Sequence, residues 1–214
     1  MNVTTHGSGS AGVALLWHGR APHTAYALAH LAEAVAESGV LVLAADWDST
    51  AADHGRSDLE ASLDHARHTA EEIGMDPGRI TLVGWSLGGT AALGLALQSD
   101  EPLRTILIAP GYAERATDAF SGRPLPEVLA PGTEHAIDVL WGNRDELVDE
   151  TMAVTLSDRL RAGGWAVTTT EVDADHSGVV GMRFDDGLDR YVVDPLAAEA
   201  LAAVAATIVA ATTP

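Results

Sequence analysis

The chain has 214 residues, 47% of them hydrophobic, enough for one domain to bury a sizeable core. It contains no cysteine, which excludes a disulfide framework, a thiolate nucleophile and any cysteine-ligated metal, and fits a reducing compartment. The formal net charge is −19 and all 12 basic residues are arginine, so the surface repels nucleic acid and anionic membranes, and lysine-dependent Schiff-base or P-loop chemistry is excluded.

The opening MNVTTHGSGSAGVALLWHG has no basic stretch, and its apolar run is too short for a secretory signal, so the expected location is the cytoplasm. The run VALLW at 13–17 reads as a first buried strand, followed by His18-Gly19-Arg20. Leu28, Leu31 and Val35 recur at helical spacing until Gly39, and VLVLA at 40–44 is the second strand. Asp46, Asp48, Asp53 and His54 follow in an acidic surface loop. Ser57-Asp58-Leu59-Glu60 has the capping-box pattern, and Leu59, Leu63, Ala66, Ala70 and Ile73 mark one apolar face of the helix it opens. His65 and His68 on that helix read as a solvated face rather than a metal pair.

After the turn Asp76-Pro77-Gly78, ITLV at 80–83 is the third strand and runs into GWSLGG. TILI at 105–108 is the fourth strand, and IDVLW at 137–141 the fifth, ending in Gly142-Asn143-Arg144-Asp145. Met152, Leu156 and Leu160 mark a helix that stops at Gly163-Gly164. AVTTT at 166–170 is the sixth strand, followed by Asp173-Ala174-Asp175-His176. Asp194-Pro195 opens the last segment, LAAEALAAVAATIVAA, which Glu199 interrupts and which reads as an amphipathic helix rather than a membrane span.

Strands apolar on both faces, alternating with helices, predict an α/β fold: a three-layer, doubly wound, mostly parallel sheet of about six strands, with 1–214 as a single domain. Ligands of such sheets bind beyond the carboxyl ends of the strands. There the third strand delivers Gly84-Trp85-Ser86-Leu87-Gly88, a G-x-S-x-G pattern that presents a serine on a strained strand-to-helix turn. A serine needs a base to attack at neutral pH, and the base needs a carboxylate to orient it. His176 and Asp145 stand after the sixth and fifth strands, in the order serine, acid, histidine. Glu146, Asp149, Glu150 and Asp138 are rival acids. The backbone N–H groups of Leu87 and Arg20 are the candidate oxyanion donors, with Gly19 as the alternative to Arg20. Trp85 and Gly19 are the candidate substrate contacts, with Trp85 reading as core or pocket wall.

HGR, DHGRSD at 53–58, GWSLGG, GNRD and DADH, in that order over nearly the whole chain, resemble the α/β-hydrolase family. Gly88-Gly89 is similar to its dienelactone-hydrolase and small-carboxylesterase branches. The resemblance implies an oxyanion loop at HGR, a nucleophile at Ser86, an acid at Asp145 and a base at His176. So few residues precede HGR that the family's first two antiparallel strands are expected to be absent or vestigial, and SGVVGMRFDDGLDRYVVD after His176 is longer than that loop usually needs.

The expected function is hydrolysis of carboxylic esters of small or medium acyl chains, through an acyl-enzyme on Ser86, with no cofactor and no metal. A thioesterase, lactonase or acyltransferase with the same three residues, or an idle binding protein on the same fold, are the alternatives. The expected partner is a small acyl substrate, not nucleic acid or membrane, and self-association is left open. The stretch 111–134, with Pro124, Pro126 and Pro131, is long enough for a short lid but not for a large cap.

Overall fold

The computed structural model describes residues 2–99, 103–112, 116–129 and 136–213. Along the chain, the first half holds β1 (Asn2–His6), β2 (Gly12–Trp17), α1 (Ala29–Ala36), β3 (Val40–Asp46), α2 (Arg56–Glu72), β4 (Thr81–Trp85), α3 (Leu87–Gln98) and β5 (Arg104–Ile108). The second half holds the short strands β6 (Thr117–Asp118) and β7 (Arg123–Pro124), then β8 (Ala136–Gly142), α4 (Glu150–Ala162) and β9 (Ala166–Val172). The hairpin strands β10 (Met182–Asp185) and β11 (Arg190–Val193) and the helix α5 (Ala198–Thr212) complete it.

The main sheet has seven strands in the order β1-β3-β2-β4-β5-β8-β9. All neighbours are parallel except β1, which runs antiparallel to β3. Parallel neighbours need crossover helices, which cover both faces and explain why β2, β3, β4 and β8 are buried nearly end to end. On one face Leu15, Trp17, Leu43 and Leu82 pack against Leu59 and Leu63 of α2, Leu93 of α3 and Leu156 of α4. On the other, Leu16, Val42, Val83 and Ile106 pack against Leu31 and Val35 of α1 and Val204 and Ile208 of α5. Pro195–Thr212 is long and apolar enough to span a bilayer by length and composition, yet it lays one face on α1 and the sheet.

Six parallel strands stand where the apolar runs predict them. The strand missing from that reading is β1. One antiparallel edge strand is present, where the first two were expected to be absent or vestigial, and the sheet has seven strands against about six expected. Its sequence, NVTTH, has a single strongly apolar residue because an edge strand buries little, with only Val3 and His6 partly covered. Its β-branched Val3, Thr4 and Thr5 were the available signal.

Two local readings are also corrected. The start of α2 is capped not by Ser57 but by Asp53, whose carboxylate accepts from the Ser57 N–H at 3.0 Å and the Gly55 N–H at 3.1 Å. Ser57 donates its hydroxyl to the same carboxylate, and Glu60 is drawn to Arg56 at 2.7 Å instead of closing a box. Ile73 lies past the end of α2 and is 42% exposed, while Leu59, Leu63, Ala66 and Ala70 carry the buried face. Of the predicted lid, residues 113–115 and 130–134 lie outside the described residues. The rest forms the β6–β7 pair, with Phe120, Leu125 and Leu129 buried in the core.

Candidate active site

The chain passes from β2 to β3 on one side and then to β4 on the other, so the crevice at the ends of β2 and β4 is a topological switch point. Ser86 stands there, immediately after β4, with φ 55° and ψ −118°. A non-glycine residue at positive φ costs on the order of 1–3 kcal/mol and needs its surroundings to hold it. They do: the Ser86 N–H donates to Ile108 at 2.9 Å, and its carbonyl accepts from Thr90 and Gly111. The flanking glycines are steric necessities. A Cβ on Gly84 would stand 2.3 Å from the Gly88 carbonyl oxygen, and one on Gly88 would stand 2.3 Å from that of Trp17.

His176 approaches from the loop after β9, its Nε2 2.9 Å from Ser86 Oγ and its Nδ1 2.7 Å from Asp145 Oδ2. The geometry lets the serine hydroxyl donate to Nε2 while Nδ1–H donates to the carboxylate. The Asp145 side chain is fully buried, and its other oxygen accepts from the N–H groups of Leu147 and Val148, each at 2.8 Å. A buried carboxylate engaged in three hydrogen bonds is held in one orientation. The acid and histidine loops are also joined directly. Asn143 and Arg144 donate backbone N–H bonds to Val172 and Ala174, and the Arg144 side chain bonds Asp173 at 2.8 Å. Gly142 makes that contact possible, because a Cβ there would fall 2.2 Å from the Ala174 carbonyl oxygen.

The rival acids are otherwise engaged or exposed. Asp149 caps α4 by accepting from Met152 N–H at 2.9 Å. Asp138 pairs with Arg104, and burial holds its carboxyl above the usual carboxylate range against the lowering effect of that arginine. Glu146 and Glu150 are exposed.

A cavity of about 250 Å³ opens over Ser86 and His176. Arg20 and Leu87 line it with them, and Tyr112, Leu147, Val148 and Met152 supply its apolar wall. Leu87 is the first residue of α3, where an N–H has no partner within the helix and negative charge is favoured. The loop that carries Arg20 hangs on His18, which is wholly buried. His18 Nδ1 lies 2.8 Å from the Gly19 carbonyl, and its Nε2 accepts from the Trp47 N–H at 3.2 Å. Trp47 returns a bond from its indole N–H to the His18 carbonyl at 3.1 Å.

Two candidate contacts are placed differently from expectation. Trp85 is 2% exposed and lies behind His176 rather than in the cavity wall, because alternation along β4 turns it toward the α1–α5 side. Gly19 has no side chain to line anything. It abuts Ser86, and a Cβ on it would sit 3.2 Å from Ser86 Cβ. Of the cavity wall, Tyr112 has no role in the sequence reading and Met152 enters it only as a helix marker. Tyr112 lies four residues beyond β5, whereas Ser86 directly follows β4, and Met152 lies in the first turn of α4. His65 lies outside the site, on the solvent side of α2, and His68 pairs with Glu72 at 3.3 Å. Among the described residues, no three histidines or acids are grouped to hold a metal ion.

Three solved structures share the fold at low identity. A putative dienelactone hydrolase from Klebsiella pneumoniae is similar at TM-score 0.70 and 15% identity, over 97% of this chain and 92% of that one. A thermophilic esterase from Thermogutta terrifontis, solved with propionate, is similar at TM-score 0.72 and 16% identity, over 97% and 88%. A bacterial heroin esterase gives TM-score 0.68 and 18% identity, over 97% and 77%. No curated protein matches the chain in sequence. The model of the alpha/beta hydrolase family matches residues 4–213, nearly the full length, and the chain belongs to that family.

Proposed function

We propose that the protein is a serine hydrolase that cleaves carboxylic esters of small or medium acyl chains. The observation that carries this reading is the relay from Ser86 Oγ to His176 Nε2 at 2.9 Å and from His176 Nδ1 to Asp145 at 2.7 Å, at the floor of a cavity. In the proposed reaction Ser86 Oγ attacks the ester carbonyl as His176 takes its proton, and the carbonyl oxygen becomes an oxyanion. The N–H groups of Leu87 and Arg20 receive that charge. The C–O bond to the alcohol then breaks, His176 gives the proton to the departing oxygen, and an acyl-serine remains. Water, deprotonated by His176, attacks the acyl-serine and releases the acid and free Ser86. Asp145 holds the imidazole and stabilises its cation throughout.

The similar structures include esterases, which point the same way, and the apolar wall of Leu147, Val148 and Met152 suits an acyl chain. The substrate in this reading is a small soluble ester, and we place the protein in the cytoplasm.

The test is hydrolysis of p-nitrophenyl esters of increasing acyl length by wild type and Ser86→Ala, across pH, with and without chelator. Activity should rise as a histidine base loses its proton, resist chelator, and disappear in Ser86→Ala. Equal turnover by the variant would refute Ser86 as nucleophile.

A further inference from the structure

A second cavity, of about 300 Å³, adjoins the first, and the two share Tyr112 and Met152 as walls. Its lining comes from the 111–134 segment through Pro124 and Leu125, and from α4 through Thr155 and Arg159. Arg159 is the one cationic side chain among the described residues of its lining. Among the described residues Arg56, Arg67, Arg104, Arg144, Arg161 and Arg183 each lie within ion-pair distance of an acid. Arg159 instead donates from Nη1 to the Tyr112 hydroxyl at 2.5 Å, and its Cζ lies 5.3 Å from the centre of that ring. A chain of net charge −19 thus keeps a half-buried guanidinium on a neutral partner beside its candidate site. Glu127 also lines this cavity, but its side chain belongs to an exposed residue at the rim.

We propose that this second cavity is a subsite for a carboxylate at the far end of the acyl chain, held by Arg159. The preferred substrates are then half-esters of dicarboxylic acids. The inference rests on Ser86 being the acyl acceptor. His176 must protonate the alcohol oxygen, so the alcohol leaves on the histidine side. The second cavity is reached past Tyr112 and Met152 and includes neither His176 nor Leu87. The acyl arm is therefore the part that extends into it. Tyr112 fixes the guanidinium by hydrogen bond and ring contact, leaving its remaining N–H groups for a bidentate carboxylate. Apolar Leu125 and Met152 along the way suit the methylenes between the two carboxyl groups.

The test separates binding from catalysis. Adipate, the product expected from a six-carbon half-ester, is titrated calorimetrically into wild type, Arg159→Gln and Arg159→Lys, with hexanoate as the matched monoacid. Wild type should bind adipate about 10- to 100-fold more tightly than hexanoate, the range for hydrogen bonds to a charged group. Arg159→Gln should abolish that preference, and Arg159→Lys should keep part of it. The kcat/KM ratio for mono-p-nitrophenyl adipate over p-nitrophenyl hexanoate, corrected for spontaneous hydrolysis, should collapse in Arg159→Gln, mainly through KM. Equal binding of the two acids by wild type, or an undiminished preference in folded Arg159→Gln, overturns the subsite. These binding results need no turnover, so an esterase failure in the Ser86 test is read separately.

Discussion

The indole N–H of Trp85 donates to the main-chain carbonyl of His176 at 3.0 Å, and the two rings lie 5.5 Å apart. The residue before Ser86 therefore anchors the loop that brings the histidine to it. Tyr191 of β11 meets the other side of the indole edge-on at 5.6 Å, and Phe184 of β10 meets Tyr191 in the same way at 5.3 Å. The long stretch after His176 is thus a hairpin that braces the imidazole through two aromatic contacts. Trp85→Phe keeps a ring and removes the bond. It should cost about 1 kcal/mol of stability and lower kcat about tenfold with little change in KM, since a small misplacement of a base is expensive. Urea unfolding and steady-state kinetics read the two effects. Unchanged kcat would show that the bond serves the fold alone.

Asp145 and Asp149 lie on one loop but do different work. Asp145→Asn keeps the shape but not the charge that fixes the His176 tautomer, and it should lower kcat by on the order of 10⁴-fold. Asp149→Ala removes the α4 cap and should cost about 1 kcal/mol, with kcat far less affected than in Asp145→Asn. Kinetics and thermal unfolding of both variants decide it. A larger kcat loss in Asp149→Ala would reassign the acid.

How much of this was legible in the sequence follows from what each residue does. Ser86, Asp145 and His176 stand at the ends of buried strands, and β-strand burial writes itself as an apolar run with a turn after it. The order of those runs places all three at one edge of the sheet. β1 was not legible in that way, because an edge strand pairs its backbone without burying side chains. Trp85 stays open between core and cavity wall for a related reason. An apolar aromatic next to the serine is equally compatible with either sheet face, and only the register of β4 turns it behind His176. The cavity wall was the least legible part. Tyr112 and Met152 meet through tertiary packing between the segment after β5 and the first turn of α4, and no local pattern encodes that meeting. The cap on α2 was read four residues late because serine followed by glutamate is a common pair, whereas Asp53 is identified as the acceptor only by the turn that folds it back.

His18 gives the fold an acid-sensitive point close to the site. Burial, the dominant influence, holds its pKa below the ordinary value of 6.5, against the raising effects of the Gly19 carbonyl and Asp46. Its Nε2 accepts a hydrogen bond from the Trp47 N–H, so protonation there would sacrifice that bond. Below pH 6.5 the unfolded chain takes up a proton at His18 that the folded chain refuses. The unfolded state then binds more protons, and stability falls as the pH drops from 6.5 toward the lowered folded value. His23 acts in the opposite sense. Its hydrogen bond to Asp46 raises its pKa, so its contribution is present below 6.5 and is lost as the pH rises through the raised value. His18→Gln retains a donor and an acceptor but does not titrate. Its urea midpoint should therefore fall less than that of wild type between about pH 6.5 and pH 5, even if it begins lower. Parallel midpoint curves for wild type and His18→Gln would mean that folded His18 accepts its proton without loss, and that the loop owes its acid tolerance to Asp46.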